Sequence, residues 1–218
     1  MWPATPLSDG LVHGPVEAVL FDFGGVLSTS PFGAFEHHER SRGLPAGFIR
    51  NLNATNPHDN AWARLERNDV DFDQFCVEFE AEAEAAGGRI EARELFAMMS
   101  GEMRPAMLEA VRRCHEHLKT GLLTNNFVTP LTTARHHDVF DLFDVVIQSA
   151  VVGVRKPDPR FYLLACEELS IEPSAAVFLD DLGVNLKPAR ALGMRTIKVV
   201  DPTEALVELE AIVGFALR

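Results

Sequence analysis

The sequence predicts an α/β fold, a doubly wound parallel sheet with an inserted α-helical region after its first strand. Three observations carry that expectation. Ala18-Val-Leu-Phe21 runs straight into Asp22 and a glycine pair, as a buried parallel strand does where its carboxyl end meets a tight turn. From 31 to 103 the apolar residues fall at helical spacing with no strand-like run. Beyond Pro105 strands and helices alternate, and with the opening strand they make five βα units.

The first fifteen residues hold three prolines and two glycines and lack both a charged leader and an apolar signal core, so 1–16 read as a flexible N-terminal extension. A core is expected over 17–30 and 104–218, with a helical cap over 31–103. Ser28 to Gly33 is turn-forming. Within the cap, Asn60 to Arg67 reads as a helix. Asp71 and Gln74 form a helix-start pair, and Phe72, Phe75, Cys76, Phe79 and Ala83 hold helical spacing until Gly87-Gly88. Ile90 to Met99 reads as a further helix. Trp62, Phe32 and Phe48 read as cap packing, and Glu82, Glu84, Glu91 and Glu94 as a solvated face.

Pro105 opens a helix whose apolar face is Met107, Leu108, Val111, Cys114 and Leu118. Strands follow at Gly121 to Thr124, Phe143 to Ile147, Ala176 to Leu179 and Arg195 to Val200. The helices between them are expected from Thr129-Pro130, from Asp158-Pro159 to Leu169, and up to Gly193.

At 218 residues the chain can bury one good core plus a modest insertion. Its 47% apolar and 24% charged composition is that of a globular protein, and no apolar run is long enough to span a bilayer. A net charge of -12 argues against a nucleic-acid partner, because phosphate backbones are held by clustered Lys and Arg. It suits a small anion neutralised locally by a cation. Cys76, Cys114 and Cys166 are odd in number and sit in apolar helical patterns, as buried thiols of a reducing compartment do, so a cytoplasmic protein is expected. His115, His117, His136 and His137 read as surface positions, and the oligomeric state has no signature.

The chemistry is written at the strand ends. Asp22 follows the first strand, Thr124-Asn125-Asn126 ends the second, Arg155-Lys156-Pro157-Asp158 lies in the loop after the third, and Asp180-Asp181 ends the fourth. Parallel strands place all four sets on one edge, where α/β sheets bind ligands. A strand-end aspartate alone is most simply a helix cap, and Lys156 alone a solvated loop charge. Together they are the parts for moving a phosphoryl group. Asp22 can be nucleophile, Asp181 can hold Mg²⁺ through hard oxygens, and Thr124 and Lys156 can neutralise phosphate oxygens.

Asp22-Phe-Gly-Gly-Val-Leu27, Leu123-Thr-Asn-Asn126, Gly153-Val-Arg-Lys-Pro-Asp158 and Phe178-Leu-Asp-Asp-Leu-Gly183 resemble the four ordered motifs of the haloacid dehalogenase superfamily. Asn185 to Met194 is similar to the branch holding the amino-terminal phosphatase domain of soluble epoxide hydrolase and the hydrolase-like domain of some acyl-CoA dehydrogenases. The resemblance implies a Rossmann-like core, a helical cap and Mg²⁺-assisted hydrolysis of a small phosphorylated metabolite through a phosphoaspartyl intermediate on Asp22. It implies metal ligation by Asp22, the Gly24 carbonyl and Asp181, with Asp180 reaching the ion through water and Asn185 in support. Thr124, Asn125, Lys156 and Gly25 would meet the phosphate.

One position departs from that pattern. Most phosphatases of the superfamily carry a second aspartate two residues after the nucleophile, and this chain has Gly24. Such an acid-base group contributes about 10² to 10⁴ in rate, so a slow or selective enzyme is expected, with Asp180, His37, His38 or a water on the metal as substitutes. The alternatives are a degenerate phosphate-and-metal-binding protein and, against the acid pair, a metal-independent haloacid dehalogenase. A phosphomutase would lean hardest on the missing residue.

Overall fold

The computed structural model describes residues 14–99, 101–127 and 137–218. Strands β1 (Ala18–Phe21), β2 (Lys119–Thr124), β3 (Val145–Gln148), β4 (Ala176–Asp180) and β5 (Arg195–Lys198) form one sheet in the order β3-β2-β1-β4-β5. All four pairings are parallel. The chain winds outward from β1 to one side and then, from β4, to the other. The strand order therefore reverses beside the carboxyl end of β1, where Asp22 stands.

Side chains alternate across this sheet and feed two cores. Val19, Phe21, Leu122, Val177 and Leu179 pack against α6 (Pro105–His115) and α11 (Pro202–Val213). Ala18, Leu20, Leu123, Ala176 and Phe178 pack against α9 (Pro159–Leu169) and α10 (Gly183–Ala191). Both faces are covered, which is why the strands read as unbroken apolar runs. Short helices α7 (His137–Phe140) and α8 (Ser149–Val152) flank β3.

Helices α1 (Phe32–Arg42), α2 (Phe48–Ala54), α3 (Ala61–Glu66), α4 (Phe72–Ala85) and α5 (Ala92–Met98) share a third core. Trp62 is its hub, with ring centroids 5.2 to 5.7 Å from Phe35, Phe75, Phe79 and Phe96. Asp71 caps α4 by accepting from the Gln74 amide at 2.8 Å, the start the sequence signalled. Each of the three cores holds one of the three cysteines, all free and buried.

Several boundaries differ from the sequence reading. Helix α1 begins inside the turn-forming stretch Ser28 to Gly33, and α2 carries no sequence signal. Glu84, Glu91 and Glu94 are exposed as the sequence suggests, but three of the four acids also make cross-connections: Glu82 accepts from the Ala61 amide at 2.8 Å, while Glu91 and Glu94 pair with Arg42. Glu80 and Glu39 likewise cap α5 and α2, through the amides of Ala92 at 2.9 Å and Ile49 at 2.8 Å. Carboxylates on one helix thus satisfy the orphan amides of the next, an arrangement favoured by the helix dipole. β2 starts at Lys119 and β3 at Val145, whereas β5 ends at Lys198. The helix expected from Thr129-Pro130, His136 and most of the 1–16 extension lie outside the described residues. No described helix is long and apolar enough to cross a membrane.

Candidate active site

The carboxyl edge of the sheet brings together most of the residues that the sequence singles out. Asp22 extends the β1–β4 ladder, its amide donating to the Leu179 carbonyl at 2.9 Å, before the chain turns over Phe23–Leu27. Its Oδ1 accepts from the Phe23 amide and from Lys156 Nζ, each at 2.7 Å. Both contacts fall on one oxygen. Among the described residues Oδ2 receives no hydrogen bond.

Lys156 is 1% exposed, and its ammonium also donates to Asp180 Oδ2 at 2.8 Å. Asn125 fixes the loop that carries it: the Lys156 amide donates to Asn125 Oδ1 at 2.8 Å, and Asn125 Nδ2 donates to the Lys156 carbonyl at 3.0 Å. This side chain, expected to meet phosphate, also positions the lysine. Thr124 is buried at the adjacent strand end.

Asp180 is fully buried. Its Oδ1 accepts from the Leu182 amide at 2.8 Å and from Asn185 Nδ2 at 3.1 Å, and its Oδ2 accepts from Asn185 Nδ2 at 3.0 Å as well as from Lys156. A carboxylate offers about four lone-pair sites, so Asp180 has little left for a direct metal bond. Asn185 is held in turn through its carbonyl by the Tyr162 hydroxyl at 2.7 Å. Asp181 is more open, and Ser30 at the cap junction lies near enough to draw its carboxyl pKa down slightly.

The electrostatics follow from one buried ammonium facing three carboxylates. Burial pushes the Asp22 carboxyl well above the ordinary range; Lys156 draws it back, and Asp180 and Asp181 push it up further. Burial also lifts Asp181 to about 6, with Asp180 adding to the rise. Burial alone would lower the Lys156 ammonium, but Asp180 and Asp22 outweigh it and hold the group above its usual value.

Ligand oxygens of Asp22, Asp180 and Asp181 lie within 4.8 Å of one another, the one such acidic cluster among the described residues. This all-oxygen, negatively charged cluster suits a hard divalent cation. Gly25 is part of the fit. It sits at φ +77°, and a Cβ there would lie 2.2 Å from Asp181 Oδ2.

Three participants had no sequence signal. Arg104 Nη1 donates to the Gly25 carbonyl at 2.6 Å and steadies the turn after Asp22. Ser30 and Tyr162 reach the acids only through the fold. His38, an expected acid-base substitute, is buried in α1, and the charges acting on it are those of Arg42, Glu94, Glu91 and Glu39, all in the cap. His37 is exposed on the same helix.

Residues 16–193 match the model of the haloacid dehalogenase-like hydrolase family. The chain is 37% identical over 92% of its length to acyl-CoA dehydrogenase family member 10 of Mus musculus and 33% identical over 93% to bifunctional epoxide hydrolase 2 of Sus scrofa. It spans only 19% and 40% of those two proteins. A phosphatase of Mycobacterium tuberculosis is 31% identical over 84% of this chain and 87% of its own. A HAD family enzyme of Bacteroides thetaiotaomicron, solved with magnesium and inorganic phosphate, shares the fold at TM-score 0.60 and 19% identity, covering 84% of this chain and 93% of the other. Four ordered motifs, one parallel sheet and a family match across most of the sequence identify the chain as a member of the haloacid dehalogenase-like hydrolase family.

Proposed function

We propose that the chain is a Mg²⁺-dependent phosphohydrolase of a small phosphorylated metabolite, working through a phosphoaspartyl intermediate on Asp22. The observation that carries this reading is the division of labour at Asp22: Oδ1 is fixed by Lys156 and the Phe23 amide, and Oδ2, with no hydrogen bond among the described residues, would be the attacking atom. The relative named as a phosphatase and the neighbour solved with magnesium and phosphate support the same chemistry.

In this reading Asp22, the Gly24 carbonyl and Asp181 would hold the metal, which on binding supplies positive charge for the phosphoryl oxygens. Lys156, Thr124 and the Gly25 backbone neutralise and orient the phosphate. Asp180 holds the lysine ammonium at Asp22, Asn185 holds Asp180, and Asn125 holds the lysine loop. A cap spanning 31–103, closed at its base by the Ser28–Met103 bridge, covers the crevice and selects the leaving group.

Gly24 favours a second reading, in which phosphate and cation bind without useful turnover. Phosphate release from a panel of sugar, nucleotide and lipid phosphates, with Mg²⁺ and with chelator, separates the two. The proposal expects Mg²⁺-dependent release that Asp22→Asn abolishes while phosphate still binds. Undiminished release by that variant would exclude Asp22 as nucleophile, and binding without release would leave the second reading.

A further inference from the structure

We infer that the preferred substrates are phosphoryl compounds whose leaving oxygen departs as a stable anion, namely acyl, enol or aryl phosphates, rather than phosphates of simple alcohols. This deepens the phosphohydrolase reading and rests on it. Gly24 stands where a leaving-group acid would project, and its space is open: a Cβ built there meets only Pro31 Cδ, at 3.9 Å.

The polar side chains closest to the acids are already engaged. Lys156 is bound to both Asp22 and Asp180, Asp180 is saturated by hydrogen bonds, and Arg104 is engaged with the Gly25 carbonyl. Asp181 belongs to the cation cluster. His38 is enclosed among cap residues, and both its ring nitrogens lack a partner.

Beside Gly24 lies a hollow of about 250 Å³ between core and cap, walled by Ser30, Pro31, Ala34, Met98 and Met99. Pro31 is the residue nearest the open side of Gly24, and Ser30 lies near enough to Asp181 to influence its carboxyl, so the hollow adjoins the crevice where the leaving group would emerge. Its walls mix polar and apolar surface about equally, and its size suits a compact group.

The chemistry then follows. A lone pair of Asp22 Oδ2 forms the new bond to phosphorus while the bond from phosphorus to the leaving oxygen breaks. That oxygen keeps the electron pair and departs as an anion, unprotonated. Water next attacks phosphorus, the bond to Asp22 breaks with its electrons returning to the carboxylate, and both hydrogens of the water end on dihydrogen phosphate. With no acid to protonate it, the leaving oxygen must carry the charge itself, and the first step becomes faster as its conjugate acid becomes stronger.

The test is kcat/KM with Mg²⁺ for phenyl, nitrophenyl and dinitrophenyl phosphate and for acetyl phosphate, in the unaltered chain and in Gly24→Asp and Gly24→Asn. The unaltered chain should gain at least about 10² from phenyl to dinitrophenyl phosphate, the scale of a missing general acid. Gly24→Asp should flatten that dependence by raising the phenyl ester most, and Gly24→Asn, which cannot deliver a proton, should leave it steep. If Gly24→Asp fails to fold, the slope of the unaltered chain decides. A flat slope with turnover that Asp22→Asn abolishes overturns this inference alone. Absence of Asp22-dependent turnover on every compound overturns the phosphohydrolase reading as well.

Discussion

At the scale of single residues, the site is held by contacts that leave no slack. Gly25 shows this most plainly, because Asp181 occupies the space where any other residue would put its Cβ, and the backbone there has positive φ. Gly25→Ala should therefore cost about 1 to 3 kcal/mol in urea unfolding and weaken Mg²⁺ binding in calorimetry. A variant with unchanged stability and affinity would mean that Asp181 is not placed by this turn. Asn125 carries a task that its sequence context does not announce. An amide beside a strand-end threonine suggests a phosphate ligand, and its two polar ends also match the amide and carbonyl of Lys156, a pairing across 31 positions that no local pattern announces.

At the scale of elements, cap and core are joined close to the candidate nucleophile. Arg155, the neighbour of Lys156, bonds Glu66 of α3 at 2.6 Å and the Pro57 carbonyl at 2.9 Å, while Glu66 also accepts from the Trp62 indole at 3.0 Å. Phe127, just past β2, packs on Phe96 of α5 with centroids 4.8 Å apart. Breaking the partly buried ion pair by Arg155→Leu should destabilise the chain by about 1 to 3 kcal/mol, between the values typical of surface and buried pairs. KM should rise more than kcat falls, since Lys156 keeps Asn125, Asp22 and Asp180 as partners. Denaturant melts and steady-state kinetics check this, and unchanged stability with unchanged KM would show that the clasp holds nothing.

Across the whole molecule, the sheet was legible because strands buried on both faces have to be apolar throughout, and the strand-end acids were legible because they interrupt those runs. β2 was read short because Lys119 and Thr120 are polar. Thr120 nevertheless sits inside, its amide donating to Asp144 at 2.7 Å. Helix α1 escaped because Phe-Gly-Ala-Phe-Glu-His-His-Glu-Arg-Ser-Arg has hardly any apolar stripe and buries Phe35, His38 and Glu39. Its reason for being helical lies elsewhere in space, where Glu39 caps α2 through the Gly47 and Ile49 amides, each at 2.8 Å. The site's acids and lysine could thus be named from sequence, but the side chains that orient them could not, because their partners come from distant segments.

The central claim is that these distant segments converge so that Asp22 takes a phosphoryl group. Rapid acid quench of the chain turning over acetyl phosphate with Mg²⁺, followed by borohydride reduction and peptide mapping, reads this directly, since reduction converts phosphoaspartate to homoserine. The account predicts homoserine at position 22 and at no other aspartate, lost when Mg²⁺ is chelated. Homoserine elsewhere, or none at position 22 while phosphate is being released, would contradict it.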